Sequence, residues 1–235
     1  MAEYSTTARH RSEALVNDYV RGVYNWMCIG LALTGVVAYW VSRTPAIRDL
    51  VFGNTFLLFA LIIAELGLVV AISARVGRMS PGTATFLFVL YAALNGVTLS
   101  FIFLIYTSAS IISTFFICSG TFLACSIYGW TTKKDLMSFG GFLFMGLIGI
   151  IIASIVNMFI VNDALQMIIN YIGVFVFMGL TAYHTQQVKN MAMTQPADAD
   201  AGVIRKGAIL GALSLYLAFI NLFLFLLRIF GGSRD

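Results

Sequence analysis

The sequence predicts an all-α membrane protein, a bundle of seven transmembrane helices. Hydrophobic residues make up 60% of the 235-residue chain and charged residues only 10%, whereas a soluble globular domain carries about a quarter charged residues. A helix needs about 20 apolar residues to cross the hydrocarbon core of a bilayer, and seven stretches approach or exceed that length. The predicted spans are 23–42, 55–74, 82–106, 109–130, 138–160, 166–186 and 207–230.

The segments outside these spans are too short for a soluble domain. We predict a polar N-terminal tail over 1–22, one transmembrane domain over 23–231 and a short C-terminal tail over 232–235. For the N-terminal tail we expect a mobile segment rather than a helix on the membrane surface. It has no apolar core and no small-residue cleavage site, so it does not have the features of a cleaved signal peptide. The polar segment 195–206 is predicted to be a loop.

The distribution of lysine and arginine predicts the orientation, because these residues are retained on the cytoplasmic side. Of the 14 basic residues, ten fall on the side that contains the N-terminus. The other four are Arg43, Arg48, Arg228 and Arg234. We therefore expect a cytoplasmic N-terminus and, after seven spans, an extracytoplasmic C-terminus. A net charge of +4 distributed in this way indicates topology and not a nucleic-acid partner.

Turn-forming residues separate the spans in order along the chain. The first connection contains Pro45 and Gly53, and Pro81 stands where it suits the first turn of the third span. The connection YTSAS is so short that the third and fourth spans are predicted to be antiparallel neighbours. Glycines inside the spans, among them Gly96 and Gly149, indicate close packing between helices.

Glu65 is the only carboxylate that lies deep inside an apolar stretch. A charged side chain in hydrocarbon is costly unless it is paired, protonated or facing water, so Glu65 is a candidate to bind a cation or to carry a proton. The alternative is a protonated carboxyl group that bonds a neighbouring helix and has no part in transport. Arg75 and Arg78 follow toward the cytoplasmic end of the same helix, where we expect them to anchor the topology.

Two further polar groups lie within the last two spans. His184, near the cytoplasmic end of the sixth span, is either a pH switch or an interfacial residue. In the last span Ser214, Ala218 and Asn221 follow i, i+4, i+7 spacing and share one face. That face either lines a path or joins helices through hydrogen bonds.

The third span is modestly polar at Asn95, Thr98 and Ser100, and we expect these side chains to serve packing. The sequence offers no nucleophile–base pair, phosphate-binding loop, metal-ligand spacing or paired carboxylates. We therefore predict no enzymatic activity, no catalytic residue, no cofactor and no resident metal.

Four long segments carry a resemblance to a known family. They read GLTAYHTQQVKNM, ILGALSLYLAFINLFLFLLRIFG, LYAALNGVTLSFIFLIYT and YGWTTKKDLMSFGGFLFMGLIGIIIASIVN. They resemble the Bax inhibitor family, also called the transmembrane Bax-inhibitor-motif family, and most closely its bacterial inner-membrane branch. The resemblance runs from about Asp18 to Gly231. It implies an inner-membrane protein in which six helices surround a central seventh.

The resemblance also implies a calcium leak controlled by pH through one aspartate on helix six and one on helix seven. Two neighbouring carboxylates raise one pKa of the pair, and their oxygens suit Ca²⁺. At the matching positions this chain has His184 and Ala218. Neither residue favours Ca²⁺, so the leak is expected to be altered or lost. Glu65 matches a family acidic residue on helix two and is the remaining carboxylate.

From these observations we predict a passive, pH-influenced cation leak. Displacement of helix seven would open a path past Glu65, with His184 modulating it and a midpoint near pH 6–7, since the unperturbed pKa of histidine is about 6.5. The alternative implied by the resemblance is a non-conducting modulator of a membrane-bound ATP-dependent protease, acting through residues 1–21. A proton-coupled small-solute transporter is a third hypothesis. The expected partners are the lipid bilayer, Ca²⁺ or H⁺, and such a protease.

Overall fold

The computed structural model describes residues 2–194 and 200–232, with side chains from residue 16 onward. Within these ranges the chain forms nine α-helices and two short 3-10 turns. The helices are α1 (Ala2–Arg43), α2 (Pro45–Phe52), α3 (Thr55–Arg75), α4 (Pro81–Leu99), α5 (Ile102–Ile105), α6 (Ser108–Thr131), α7 (Gly140–Ile160), α8 (Asp163–Met193) and α9 (Ala201–Phe230). Seven segments among the described residues are long and apolar enough to cross a membrane, which confirms the predicted fold class.

The seven spans match the predicted ones in number and order. They are Val16–Arg43, Thr55–Arg78, Pro81–Ile105, Ser108–Thr131, Met137–Ile160, Asp163–Met193 and Ala201–Phe230. The largest differences are at the start of the first span and at the ends of the last two that flank 195–199. There the helices extend into sequence that is polar enough to resemble a tail or a loop.

One contact explains why these helices extend. The hydroxyl of Tyr19 in α1 donates a hydrogen bond to the Gly207 carbonyl oxygen in α9 at 3.1 Å, and Tyr19 is fully buried. Burying a tyrosine ring stabilises both helices beyond their apolar stretches. We expected a mobile segment over 1–22, and the backbone is instead helical from Ala2 onward.

The loop predicted over 195–206 is also corrected, because α9 begins at Ala201. Residues 195–199 lie outside the described part of the chain. The same holds for Met1 and for residues 233–235, which make up most of the predicted C-terminal tail.

Side-chain caps define several helix starts. Asn54 accepts a hydrogen bond from the Leu57 N–H, and Ser80 accepts one from Thr83 N–H. Pro81 occupies the first turn of α4, as the sequence predicts. Such caps satisfy N–H groups that have no partner within the helix.

The chain divides into two compact units. The first comprises Met1–Ile105 and Val188–Tyr216, and the second comprises Tyr106–Gln187 and Leu217–Asp235. Of the seven spans, α9 is the most buried: 72% of its most apolar window is buried, against 44% or less in the others. The central position of this helix stays a prediction.

Two glycines allow close helix approach, one in each unit. In the first unit, a Cβ atom on Gly96 of α4 would lie 2.7 Å from the Thr34 carbonyl oxygen of α1. In the second, a Cβ on Gly129 of α6 would lie 2.3 Å from the Ala182 carbonyl oxygen of α8. Gly149, in contrast, has nothing within 4 Å of such an atom, so only some of the glycines serve the packing role predicted for them.

Candidate functional site

Glu65 lies in the middle of α3 and is 9% exposed. Both of its carboxyl oxygens face hydrogen-bond donors from α4. The Thr98 hydroxyl bonds Oε1, and the Asn95 amide Nδ2 donates to Oε2 at 3.2 Å. Thr98 follows Asn95 by three residues, which places both on one face of the helix. Asn95 and Thr98, which we expected to serve packing, therefore bond the carboxyl group, whereas Ser100 donates to the Val97 carbonyl oxygen of its own span.

Asn95 extends this site to two further helices. Its Oδ1 accepts a hydrogen bond from the Tyr216 hydroxyl of α9 at 3.0 Å. The same hydroxyl lies 2.6 Å from Oγ1 of Thr34 in α1, whose single proton can go either to it or to the Ala92 carbonyl oxygen at 2.8 Å. A continuous hydrogen-bonded chain thus connects Glu65 with α1, α4 and α9. We call Thr34, Glu65, Asn95, Thr98 and Tyr216 the Glu65 network.

Aromatic packing holds the phenol of Tyr216 in place. Its ring is fully buried and meets the rings of Tyr91 and Phe88 edge-on, with centroid distances of 5.6 and 6.0 Å. Edge-to-face pairs of this kind are favourable beyond their burial. The close approach of α1 and α4 at Gly96 brings Thr34 to the same point.

The hydrogen-bond donors and acceptors around Glu65 indicate which protonation states its carboxyl group can adopt. The Thr98 hydroxyl carries one proton but contacts two acceptors, Glu65 Oε1 and the Leu94 carbonyl oxygen at 3.2 Å. Both contacts are satisfied when Glu65 itself carries a proton and donates it to Thr98, which then donates to Leu94. When Glu65 is ionised, Thr98 turns its proton toward the carboxylate. The site therefore accommodates either state without moving a heavy atom.

The same site is not arranged as a resident metal centre. Ca²⁺ takes six to eight oxygen ligands, whereas the carboxyl oxygens of Glu65 face a hydroxyl and an amide N–H₂. Among the described residues, no group of three or more His, Cys, Asp or Glu side chains comes together. A cation could be bound here only after the donors turn away.

His184 lies in α8, in the second unit, and is partly buried. Its Nδ1 is 3.2 Å from Oε1 of Gln187, an oxygen that can only accept, so this pairing assigns the proton to Nδ1 and leaves Nε2 as an acceptor in the neutral ring. The rings of Tyr183 and Phe144 meet the imidazole edge-on, at centroid distances of 5.2 and 6.4 Å. The histidine thus sits in an aromatic setting with one polar partner.

The three residues of the predicted polar face of α9 differ in their exposure. Ala218 is buried, at 2% exposure, while Ser214 and Asn221 are partly exposed. Ser214 donates to the Leu210 carbonyl oxygen at 3.2 Å, and Asn221 donates to that of Leu217 at 2.8 Å. Both bonds stay within α9, so these contacts do not join helices.

The basic residues Arg75 and Arg78 are exposed at the end of the second span. Close by, the Lys206 ammonium of α9 donates to the Gly77 carbonyl oxygen at 3.1 Å. Cations at a helix C-terminus complement the helix dipole. This arrangement is compatible with the anchoring role expected for the two arginines.

The structure divides the predicted site residues between the two units. Glu65 and Ser214 belong to the first, and His184, Ala218 and Asn221 belong to the second. Tyr216 and Thr34 were not predicted, although each places a hydroxyl in an apolar run, in LSLYLAF and LALTGVV. Their only sequence signal is that one polar group, which is too common to single them out.

Comparison with known proteins decides the family. The profile described as "Inhibitor of apoptosis-promoting Bax1" matches residues 16–235. The chain belongs to the Bax inhibitor family. This confirms the resemblance described from its motifs and agrees with the seven apolar spans.

Several bacterial relatives of this family member align over almost their whole length. "Inner membrane protein YbhL" of Escherichia coli (strain K12) is 53% identical over 230 residues, which cover 95% of this chain and 98% of that protein. An uncharacterized protein of Borreliella burgdorferi is 45% identical over 228 residues, covering 97% of each chain. One of Rickettsia prowazekii is 43% identical over 232 residues, covering 98% of this chain and 97% of its own. These matches support the bacterial branch and a multi-pass membrane protein.

Proposed function

We propose that this Bax inhibitor family member is a passive, pH-influenced cation leak of the inner membrane, in which Glu65 lines the path. The observation that carries the proposal is the Glu65 network, a membrane-embedded carboxyl group bonded to side chains of α4 and linked through Asn95 to α9. An ionisable residue inside a membrane span marks an ion or proton pathway by default. The arrangement described above is the closed state.

Opening in this proposal depends on α9. If this helix shifts, the Tyr216 hydroxyl leaves both Asn95 and Thr34, to which it lies within 3.0 Å. Asn95 is then free to turn its carbonyl oxygen toward the path. Glu65 and Asn95 would together supply oxygen ligands for a passing cation, which suits a hard ion such as Ca²⁺.

Protonation opposes this opening. A protonated Glu65 carries no charge to attract a cation, and its hydrogen bond to Thr98 completes the closed network. Protonation of His184 adds a positive charge that repels cations. Both effects act in the same direction, so the leak decreases as the pH falls.

Calcium flux into proteoliposomes tests this proposal. The native chain would be compared between pH 5 and 8 with a variant carrying His184→Asp and Ala218→Asp, and with protein-free liposomes. We expect flux through the native chain that is higher at pH 8 than at pH 5. Flux through the double variant alone would overturn the leak and favour the alternative below.

The alternative is a non-conducting modulator of a membrane-bound ATP-dependent protease. It is favoured by one observation: the side chain of Ala218, where the resemblance implies an aspartate, is a buried methyl group without an oxygen to offer. Co-purification of such a protease with the full chain, and its loss on deletion of residues 2–15, would support this role. Co-purification that survives the deletion would exclude residues 2–15 as the docking segment.

The protein has one orientation in the membrane in this proposal. We place the N-terminus in the cytoplasm and the C-terminus outside, from the ten-to-four distribution of basic residues. In this account the protein catalyses no covalent reaction. A reporter that is active only in the cytoplasm, fused to each terminus in turn, tests the orientation.

A further inference from the structure

A cleft in the first unit lies apart from the Glu65 network. It has a volume of about 410 Å³, within the range of roughly 300–1,000 Å³ usual for small-molecule sites. Its walls come from the first turns of two spans, α1 and α9. The lining residues are Asp18, Gly22, Trp26, Ala201, Ile204, Arg205 and Ala208.

Two opposite charges line this cleft without pairing. Asp18 and Arg205 are both exposed, and neither takes part in an ion pair among the described residues. The Arg205 guanidinium instead lies 5.6 Å from the centre of the Trp26 ring, a cation–π contact. Among the described residues this cleft therefore holds a carboxylate and a guanidinium without an ionic partner, and together they complement a ligand that carries both charges.

The depth of each group gives the ligand an orientation. Asp18 stands two residues inside the first span and Trp26 eight residues deeper, about 12 Å along the helix. Tryptophan favours the boundary between headgroups and hydrocarbon. The wall therefore runs from an outer carboxylate to a cation beside Trp26, with Ala208 about one turn further along α9 than Arg205.

We propose that this cleft binds the headgroup of a zwitterionic phospholipid with a primary amine, phosphatidylethanolamine. The phosphate would bond the Arg205 guanidinium, and the ammonium would bond Asp18. The acyl chains would pass Trp26 and Ala208 into the bilayer. Arginine recognises phosphate through charge-assisted hydrogen bonds, and a primary ammonium has the three donors that a choline headgroup lacks. At Gly22 a Cβ atom would lie 3.3 Å from the Cβ of Ala208, so α1 and α9 approach closely in this part of the cleft.

Native mass spectrometry of the full chain in detergent tests the site, with phosphatidylethanolamine, phosphatidylcholine or phosphatidylglycerol added. We expect phosphatidylethanolamine to bind most tightly. Arg205→Gln is expected to weaken binding about tenfold, the equivalent of one charge-assisted hydrogen bond of about 1.4 kcal/mol. Asp18→Asn is expected to abolish the preference for phosphatidylethanolamine over phosphatidylglycerol, because it removes the partner of the ammonium.

Matched variants and a soluble competitor make the result decisive. Lys133→Gln removes an exposed cation outside the cleft and is expected to leave lipid binding unchanged. Soluble phosphoethanolamine is expected not to displace the lipid, since it lacks acyl chains. Displacement at equal concentration would identify a soluble ligand and overturn the lipid assignment. Equal binding of all three lipids, or native-like binding by Arg205→Gln, would overturn the site.

Discussion

The Tyr216 hydroxyl of the last helix donates a hydrogen bond to the Asn95 side chain at 3.0 Å, and Asn95 in turn donates to Glu65. One amide thus couples the buried phenol of α9 to the one carboxyl group deep in the spans. In the proposed leak, displacement of α9 would break the Tyr216–Asn95 bond and so act on Glu65 through Asn95. This is the gate that the proposal assigns to the last helix.

Removal of the phenol hydroxyl should weaken this gate. Tyr216→Phe keeps the ring between Tyr91 and Phe88 but leaves Asn95 Oδ1 buried without its donor, which costs about 1–3 kcal/mol of stability. We expect a lower unfolding temperature in detergent and a higher calcium flux at every pH. Tyr171→Phe, at an exposed position, is the control. Native flux from Tyr216→Phe would separate the network from gating.

The protonation state of Glu65 can be observed directly. The bonds that Thr98 makes to Glu65 and Leu94 are complete when Glu65 carries a proton. Infrared spectroscopy between pH 5 and 8 should then show a carboxyl C=O band that grows as the pH falls, is absent in Glu65→Gln and is shifted in Thr98→Val. Thr121→Val, whose hydroxyl bonds the Ile117 carbonyl oxygen of its own helix, should leave the band in place. A band that persists in Glu65→Gln would assign the proton elsewhere.

His184 should set the midpoint of any pH response. Its neutral ring donates from Nδ1 to Gln187. Protonation adds a positive charge to α8 next to Thr185 and Gln186, which are buried in the second unit. We expect His184→Ala to move the midpoint of flux away from the range near the unperturbed histidine pKa of about 6.5. The other histidine, His10, provides the control variant His10→Ala. A midpoint that is the same in both variants would remove His184 from the response.

The fold could be predicted because it depends on segment length and composition. Seven apolar stretches were sufficient to place every span to within a few residues, except where a helix continues into polar sequence. Tyr19 is the clearest case, since a buried contact with Gly207 extends both helices beyond their apolar stretches. No pattern within one segment reveals a partner 188 residues away.

The candidate site could be predicted only in part. Glu65 stands out because a carboxylate in an apolar run is rare, and the structure gives it partners in α4. Tyr216 and Thr34 are connected to Glu65 only through Asn95, and both are common residue types. Their role depends on how α1, α4 and α9 meet. The packing role of each glycine was equally ambiguous, because the spacing of residues in the sequence does not show which face of a helix meets a neighbour.

Two glycines provide a matched test of whether a glycine lies at a contact between helices. Gly96→Ala would place a methyl group 2.7 Å from the Thr34 carbonyl oxygen, so α1 must move away from α4. We expect a loss of about 1–3 kcal/mol in stability, the usual cost of overpacking. Gly149→Ala meets open space and should instead be neutral or stabilising by up to about 1 kcal/mol. Thermal unfolding in detergent compares the two, and equal effects would contradict the close approach at Gly96.

The central claim is that cations pass Glu65, and calcium flux through Glu65→Gln in proteoliposomes tests it most directly. Glutamine keeps the shape of the side chain, and its oxygen can accept from Asn95 while its amide N–H₂ donates to Thr98, so the fold should remain while the charge is lost. We predict that Glu65→Gln abolishes flux at pH 8, whereas Asp163→Asn, which neutralises an exposed acid at the start of α8, conducts like the native chain. Unchanged flux through Glu65→Gln would contradict the account and remove Glu65 from the path.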